Sequence, residues 1–103
     1  MPSARGEVPF DRELTRDQFE RLSQGLIPQG QDDRWFVWVD DTPVVHVHRS
    51  WSGHEIYEVE LEPADDGYRV KAAWANREPH QNNAPPALDV PLLRGLFEQL
   101  TRG

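Results

Sequence analysis

The chain contains no cysteine. That excludes a disulfide framework, a thiolate metal site and a cysteine nucleophile. It also lacks any apolar run approaching the roughly 20 residues of a membrane-spanning helix, and no signal-like segment opens it. The cytoplasm is therefore the expected compartment, with no membrane partner. A basic stripe is missing too: 11 Lys and Arg stand against 18 Asp and Glu, for a net charge of −7. Nucleic-acid binding needs many phosphate-facing cations, so no nucleic-acid partner is expected. Internal repeats and low-complexity segments are absent. What the chain does have is enough apolar material for one core, with 103 residues of which 37% are hydrophobic. That is the scale of one domain, residues 1 to 103, with residues 1 to 9 reading as a loose tail.

The first element predicted is a helix over about Arg16 to Gln24. Thr15 and Gln18 have the spacing of a capping box, Leu14 and Phe19 that of a hydrophobic staple, and Gly25 offers the left-handed residue that ends a helix. After the polar stretch Gln29 to Asp33 the apolar period changes to that of strands. Strands are predicted at Arg34 to Asp40, Val44 to Arg49, Glu55 to Glu62 and Tyr68 to Ala75. Short turns join them, which gives an antiparallel meander. A final helix is predicted over Val90 to Leu100, with Asp89 as N-cap and an apolar stripe of Leu93, Leu96, Phe97 and Leu100. The expected fold class is α+β: a four-stranded antiparallel meander with N-terminal and C-terminal helices packed on one face, in the order αββββα.

Face assignment follows from alternation, since a slip of one residue turns a strand over. Tyr57, Val59 and Leu61 alternate with glutamates, and Tyr68, Val70, Ala72 and Trp74 are matched to them. Carrying the parity back through the turns places Val45, Val47, Phe36 and Trp38 on the apolar side. Trp35, Val37, Val39, Val44, His46, His48 and Ile56 then fall on the other.

The stretch from Val45 to His54 holds three histidines, an arginine, two serines and a tryptophan at a strand end and the turn after it. No simple core-and-surface pattern requires that. His46 and His48, two apart on a strand, project from one face and could be metal ligands, completed by His54, His80, Asp40, Asp41 or Glu58. Two histidines without a fixed third ligand are common by chance, and a row of His46, Glu58 and Lys71 across the strands explains them as ordinary pairs. No metal or cofactor is therefore expected. Ser50 sits in no nucleophile elbow. Glu58, Glu60 and Glu62 face Arg69 and Lys71 as a salt ladder rather than a carboxylate pair for hydrolysis. Arg34, Arg49 and Arg77 lie beside aromatics or in loops, where an arginine fork suits a phosphate or carboxylate. Arg49 could equally pair with Glu55 and cover Trp51. Trp51, in a turn, has the least structural reason to be there.

The series Arg34-Trp35-Phe36, His48-Arg49-Ser50-Trp51-Ser52-Gly53, Ile56-Tyr57 and Asn76-Arg77-Glu78-Pro79 resembles the R-W-F, H-R-S-W-[ST]-G, I-Y and N-R-[DE]-P motifs of small uncharacterised bacterial proteins. The likeness covers residues 34 to 81, and the hexapeptide is its specific part. It implies an association with ADP-ribose-handling proteins. Where the last motif continues in such proteins with an acidic residue and Gln-Tyr, this chain has His80-Gln81-Asn82, which puts that corner in doubt. In an antiparallel meander the motif segments gather at one end of the sheet, as an open site or as a buried polar network.

The leading expectation is a binding or accessory module in which Arg34, His48, Arg49, Ser50, Trp51 and Arg77 recognise an anionic ligand or a partner protein. A small hydrolase acting on a nucleotide-like or ADP-ribosyl substrate, with His48 as base, is the competing class. An antitoxin or immunity-type interaction domain is the third.

Overall fold

Thr15 opens the first helix as its spacing predicts. Its Oγ1 accepts from Gln18 N at 3.1 Å and its own N–H donates to Gln18 Oε1 at 3.0 Å. The computed structural model describes residues 4–26, 35–50, 52–82 and 85–102. Arg34 and Trp51, two of the expected site residues, lie outside them. The helix, α1, is Arg16–Ser23. Gly25, at φ 72°, turns the chain into Leu26, and a Cβ there would meet Val37 O at 2.3 Å, so only glycine fits.

The fold is α+β, with an antiparallel sheet of six strands and two α-helices among the described residues. The strands are β1 (Arg5–Glu7), β2 (Glu13–Thr15), β3 (Trp35–Val39), β4 (Val44–Arg49), β5 (Glu55–Ala64) and β6 (Gly67–Asn76). The sheet order is β1-β6-β5-β4-β3, and β2 also pairs with β6. The tail expected to be loose is therefore partly built in. Arg5 to Glu7 pairs with Trp74 to Asn76, and Val8 and Phe10 are buried. A short segment of mixed polarity gives no periodicity, and its order comes from an unpaired strand edge that it satisfies.

The second helix, α2, is Asp89–Thr101, entered through a turn of 3₁₀ helix at Pro86–Leu88. Asp89 does not act as the N-cap; it lies within the helix, 2% exposed, with its carboxylate turned inward. Leu22 of α1 and Leu93, Leu96 and Phe97 of α2 share one core with Val37, Val45, Val47, Tyr57, Val59, Ala73 and Ala75 of the sheet. No helix among the described residues is long and apolar enough to cross a membrane.

Expected face assignments are reversed on β3 and on part of β6. On β3, Val37 pairs with Val47 and Trp38 with His46, so Trp35, Val37 and Val39 face the core. Phe36 and Trp38 are 40% and 42% exposed. That strand is apolar on both sides, so its sequence carries no face signal, and parity taken through the turn at residues 40 to 43 comes out one residue off. On β6 a bulge intervenes: Glu60 pairs with Ala72 but Leu61 with Val70, leaving Lys71 as the extra residue. Tyr68 and Val70 face the core as expected, but beyond the bulge Ala73 and Ala75 replace Ala72 and Trp74 there. Trp74 lies on the outer face, where its Nε1 donates to Glu60 Oε2 at 3.1 Å and Arg5 stacks on its ring at 4.3 Å.

Candidate functional site

In a regular strand, residues three apart point to opposite faces. Glu55 and Glu58 do not, because a second bulge lies between them. Tyr57 pairs with Val47 and Glu58 with His46, whereas His48 pairs with Glu55, and Ile56 is the extra residue. The bulge turns both carboxylates toward His46 and His48 on the outer face, beside Phe36 and Trp38. Ile56, expected on that face, is instead buried at 1% exposure.

His46 is held at both ring nitrogens. Nε2 lies 2.7 Å from Asp40 Oδ2 and Nδ1 lies 2.9 Å from Glu55 Oε2. Asp40 is itself fixed by the turn after β3, where its Oδ1 accepts from the backbone N–H groups of Thr42 and Val44 at 2.9 and 2.8 Å and from the Thr42 hydroxyl. The Trp38 ring stacks on His46, 4.2 Å between centroids and 15° from parallel. Burial opposes charge on His46, but the bonds to Asp40 and Glu55 outweigh it and raise its pKa. The charged form of His46 is thus favoured between two carboxylates and under an indole face. The same bonds act on the acids. Burial would raise Asp40 and Glu55, yet the contacts to His46, with Thr42 for Asp40 and Glu58 for Glu55, lower both.

Glu58 is the exception. Its carboxyl lies against that of Glu55, and the hydrogen bond between them exists only while one acid keeps a proton. That bond and burial push Glu58 up to about 7. Between the ordinary carboxylate range and that value, the folded state keeps a proton that the unfolded chain has lost. Stability therefore falls as pH rises through the window. The raised His46 contributes in the same direction, its stabilisation present below its ordinary pKa and lost above the folded one. The depressed Asp40 and Glu55 act oppositely, losing their contribution on acidification. The melting temperature of the parent is expected to fall from about pH 5 to about pH 8, and Glu58→Gln to flatten that slope. An equal slope in both proteins would assign the effect elsewhere.

His48 is also engaged at both nitrogens. Nδ1 donates to Gly53 O at 3.0 Å, and Nε2 accepts from Trp38 Nε1 at 3.2 Å while lying 3.4 Å from Glu55 Oε2. Beside it a cleft of about 220 Å³ is lined by Phe36, Trp38, His48, Arg49, Ser50 and Gly53.

The expected site residues are thus distributed. His48 is on the outer face and Ser50 lines the cleft. Arg49, one residue from His48, sits in register with Trp35, and its guanidinium lies over that ring at 4.8 Å. Glu55, expected as a partner for Arg49, faces the histidines instead. Arg77 Nη2 donates to Asp89 Oδ2 at 2.7 Å, and Asp89 Oδ1 accepts from Tyr57 OH at 2.9 Å. Burial and that bond raise the Tyr57 pKa. Asn76, fully buried, donates to Glu55 O at 2.9 Å and Gln81 Oε1 at 2.8 Å, and accepts from Glu78 N at 2.8 Å. The Asn76 to Glu78 corner is therefore a network that fixes the chain leaving β6. The expected row of His46, Glu58 and Lys71 is half present: Glu58 pairs with His46, and Trp74 rather than Lys71 stands opposite Glu58 on β6.

No protein-family model, curated protein or solved structure matches the chain.

Proposed function

We propose that the chain is a cytoplasmic protein-interaction module that receives a basic partner on the outer face of its sheet, in the manner of an antitoxin or immunity protein. Its scaffold is the β3 to β6 meander flanked by α1 and α2. The observation that supports this reading is the cleft between Phe36, Trp38 and His48, where two rings stand 40% and 42% exposed within a sheet face rich in carboxylates. Exposed aromatics grouped beside a recess suit a partner's side chain. A Lys or Arg side chain laid on the Trp38 indole gains a cation–π contact and the attraction of Glu55, Glu58 and Asp40 nearby. The net charge of −7 steers such a partner in.

An anionic ligand fits the same place less well. The guanidinium of Arg49 lies over Trp35 and that of Arg77 is bonded to Asp89, whereas carboxylates flank the histidines. The hydrolase reading is weaker still, because a general base needs a free lone pair and both His48 nitrogens are engaged.

The test is a titration of the labelled protein with an arginine-rich peptide, inorganic phosphate and ADP-ribose, following the indole N–H resonances. The peptide is expected to move the Trp38 resonance, with affinity that falls as salt is added, and Trp38→Ala to weaken binding about tenfold or more. The melting temperature of Trp38→Ala should stay close to that of the parent. A response to phosphate or ADP-ribose that Arg49→Ala abolishes, with none to the peptide, would restore the anion reading and overturn this one.

A further inference from the structure

The bulge at Ile56 does more than expose two acids. It places three groups of metal-ligating type around one point: the ligand atoms of His46, Glu55 and Glu58 all lie within 4.8 Å of one another. Ligands of a four-coordinate zinc ion sit about 3.3 Å apart, given bonds of about 2.0–2.1 Å, so small side-chain rotations would close the set. We infer that His46 Nδ1, Glu55 and Glu58 bind a divalent transition-metal ion on the outer face, with His48 Nε2 as the fourth donor in reach.

Features beyond the carboxylates support this. Glu55 Oε1 is sealed from solvent and has no hydrogen-bond partner in the structure, an expensive state for a carboxylate oxygen that a cation would relieve. Asp40 holds the far side of the His46 ring at 2.7 Å, as second-sphere carboxylates do for metal-bound histidine, fixing the ring and raising its basicity. Asp40 is anchored by its own turn, so the ring is oriented before any ion arrives. The ion takes the place of the His46 Nδ1 proton and of the proton that Glu55 and Glu58 share, both of which leave to solvent, while Nε2 keeps its proton and its bond to Asp40. His48 Nε2, 3.4 Å from Glu55 Oε2, gives up the Trp38 N–H when it turns to the metal. Mixed imidazole and carboxylate donors favour Zn²⁺ and its first-row neighbours over Ca²⁺, which prefers an all-oxygen shell. The inference does not rest on the protein partner proposed above, although Glu55, Glu58 and Asp40 serve both.

The experiment uses the full chain without an added histidine tag, stripped with chelator and titrated with Zn²⁺ by calorimetry. One ion per chain is expected, with Ca²⁺ far weaker. His46→Gln and Glu55→Gln should each lose about 100-fold or more in affinity, and Asp40→Asn about 10–100-fold. His54→Gln and His80→Gln should lose none. Histidine ring resonances of the unaltered chain decide the matter even where a variant fails to fold: Zn²⁺ should move those of His46 and His48 and leave His54 and His80 in place. Absence of binding at millimolar Zn²⁺, binding retained by His46→Gln, shifts at His54 and His80 instead, or equal affinity for Ca²⁺ would each overturn the assignment.

Discussion

Phe97→Ala is expected to cost about 3 to 5 kcal/mol, measured by urea denaturation, because removing a buried ring leaves a cavity that its neighbours close only in part. Phe97 is 1% exposed and meets Phe10 edge to face, with centroids 5.0 Å apart. The loss is therefore shared between α2 and the N-terminal segment. Trp74→Ala is the informative contrast. It removes a larger ring, yet that ring lies on the outer face against Arg5 and Glu60, so its loss should be clearly smaller. Equal losses would mean that the β6 bulge at Lys71 is absent and Trp74 packs inside.

Asp89→Ala should be about as damaging, at about 3 to 5 kcal/mol, for an electrostatic reason. Asp89 is 2% exposed and is the carboxylate that receives both Arg77 Nη2 and Tyr57 OH. Removing it leaves a guanidinium with no counter-charge in a partly buried place, and breaking one side of such a pair costs more than replacing both. The double variant Asp89→Ala with Arg77→Met is therefore expected to recover part of the loss. Additive losses in the two single variants would show that the two groups act separately.

How much of this could be read from residues varies with the kind of signal. Thr15, Gln18 and Gly25 carry the whole of α1 because capping is chemistry local to a few positions, and the structure repeats it bond for bond. The apolar stripe of Leu93, Leu96 and Phe97 marked α2 and its buried side equally well. The bulges were not legible. One extra residue at Ile56 or Lys71 changes every later face, and nothing in Glu55-Ile56-Tyr57-Glu58 distinguishes a bulged strand from a regular one. Hence Asp40 and Glu58 could be named as companions of His46, but Glu55, which touches both histidines, could not be assigned to them. Asp89 was misplaced for a related reason: an acid just ahead of an apolar stripe has the composition of a cap, and only the fold reveals that Tyr57 and Arg77 lie in wait for it.

The two short strands along β6 have a consequence for handling the molecule. β6 runs from Gly67 to Asn76, and its outer edge is met by Arg5 to Glu7 at one end and Glu13 to Thr15 at the other. Those six residues act as a guard rail. A version trimmed to start at α1 would present a ten-residue strand with unfilled amide and carbonyl groups, the geometry on which a second copy can add its own strand. Loss of the first fifteen residues, which also removes the buried Val8, Phe10 and Leu14 and the Thr15 cap, would then show itself as edge-to-edge self-association added to a loss of stability.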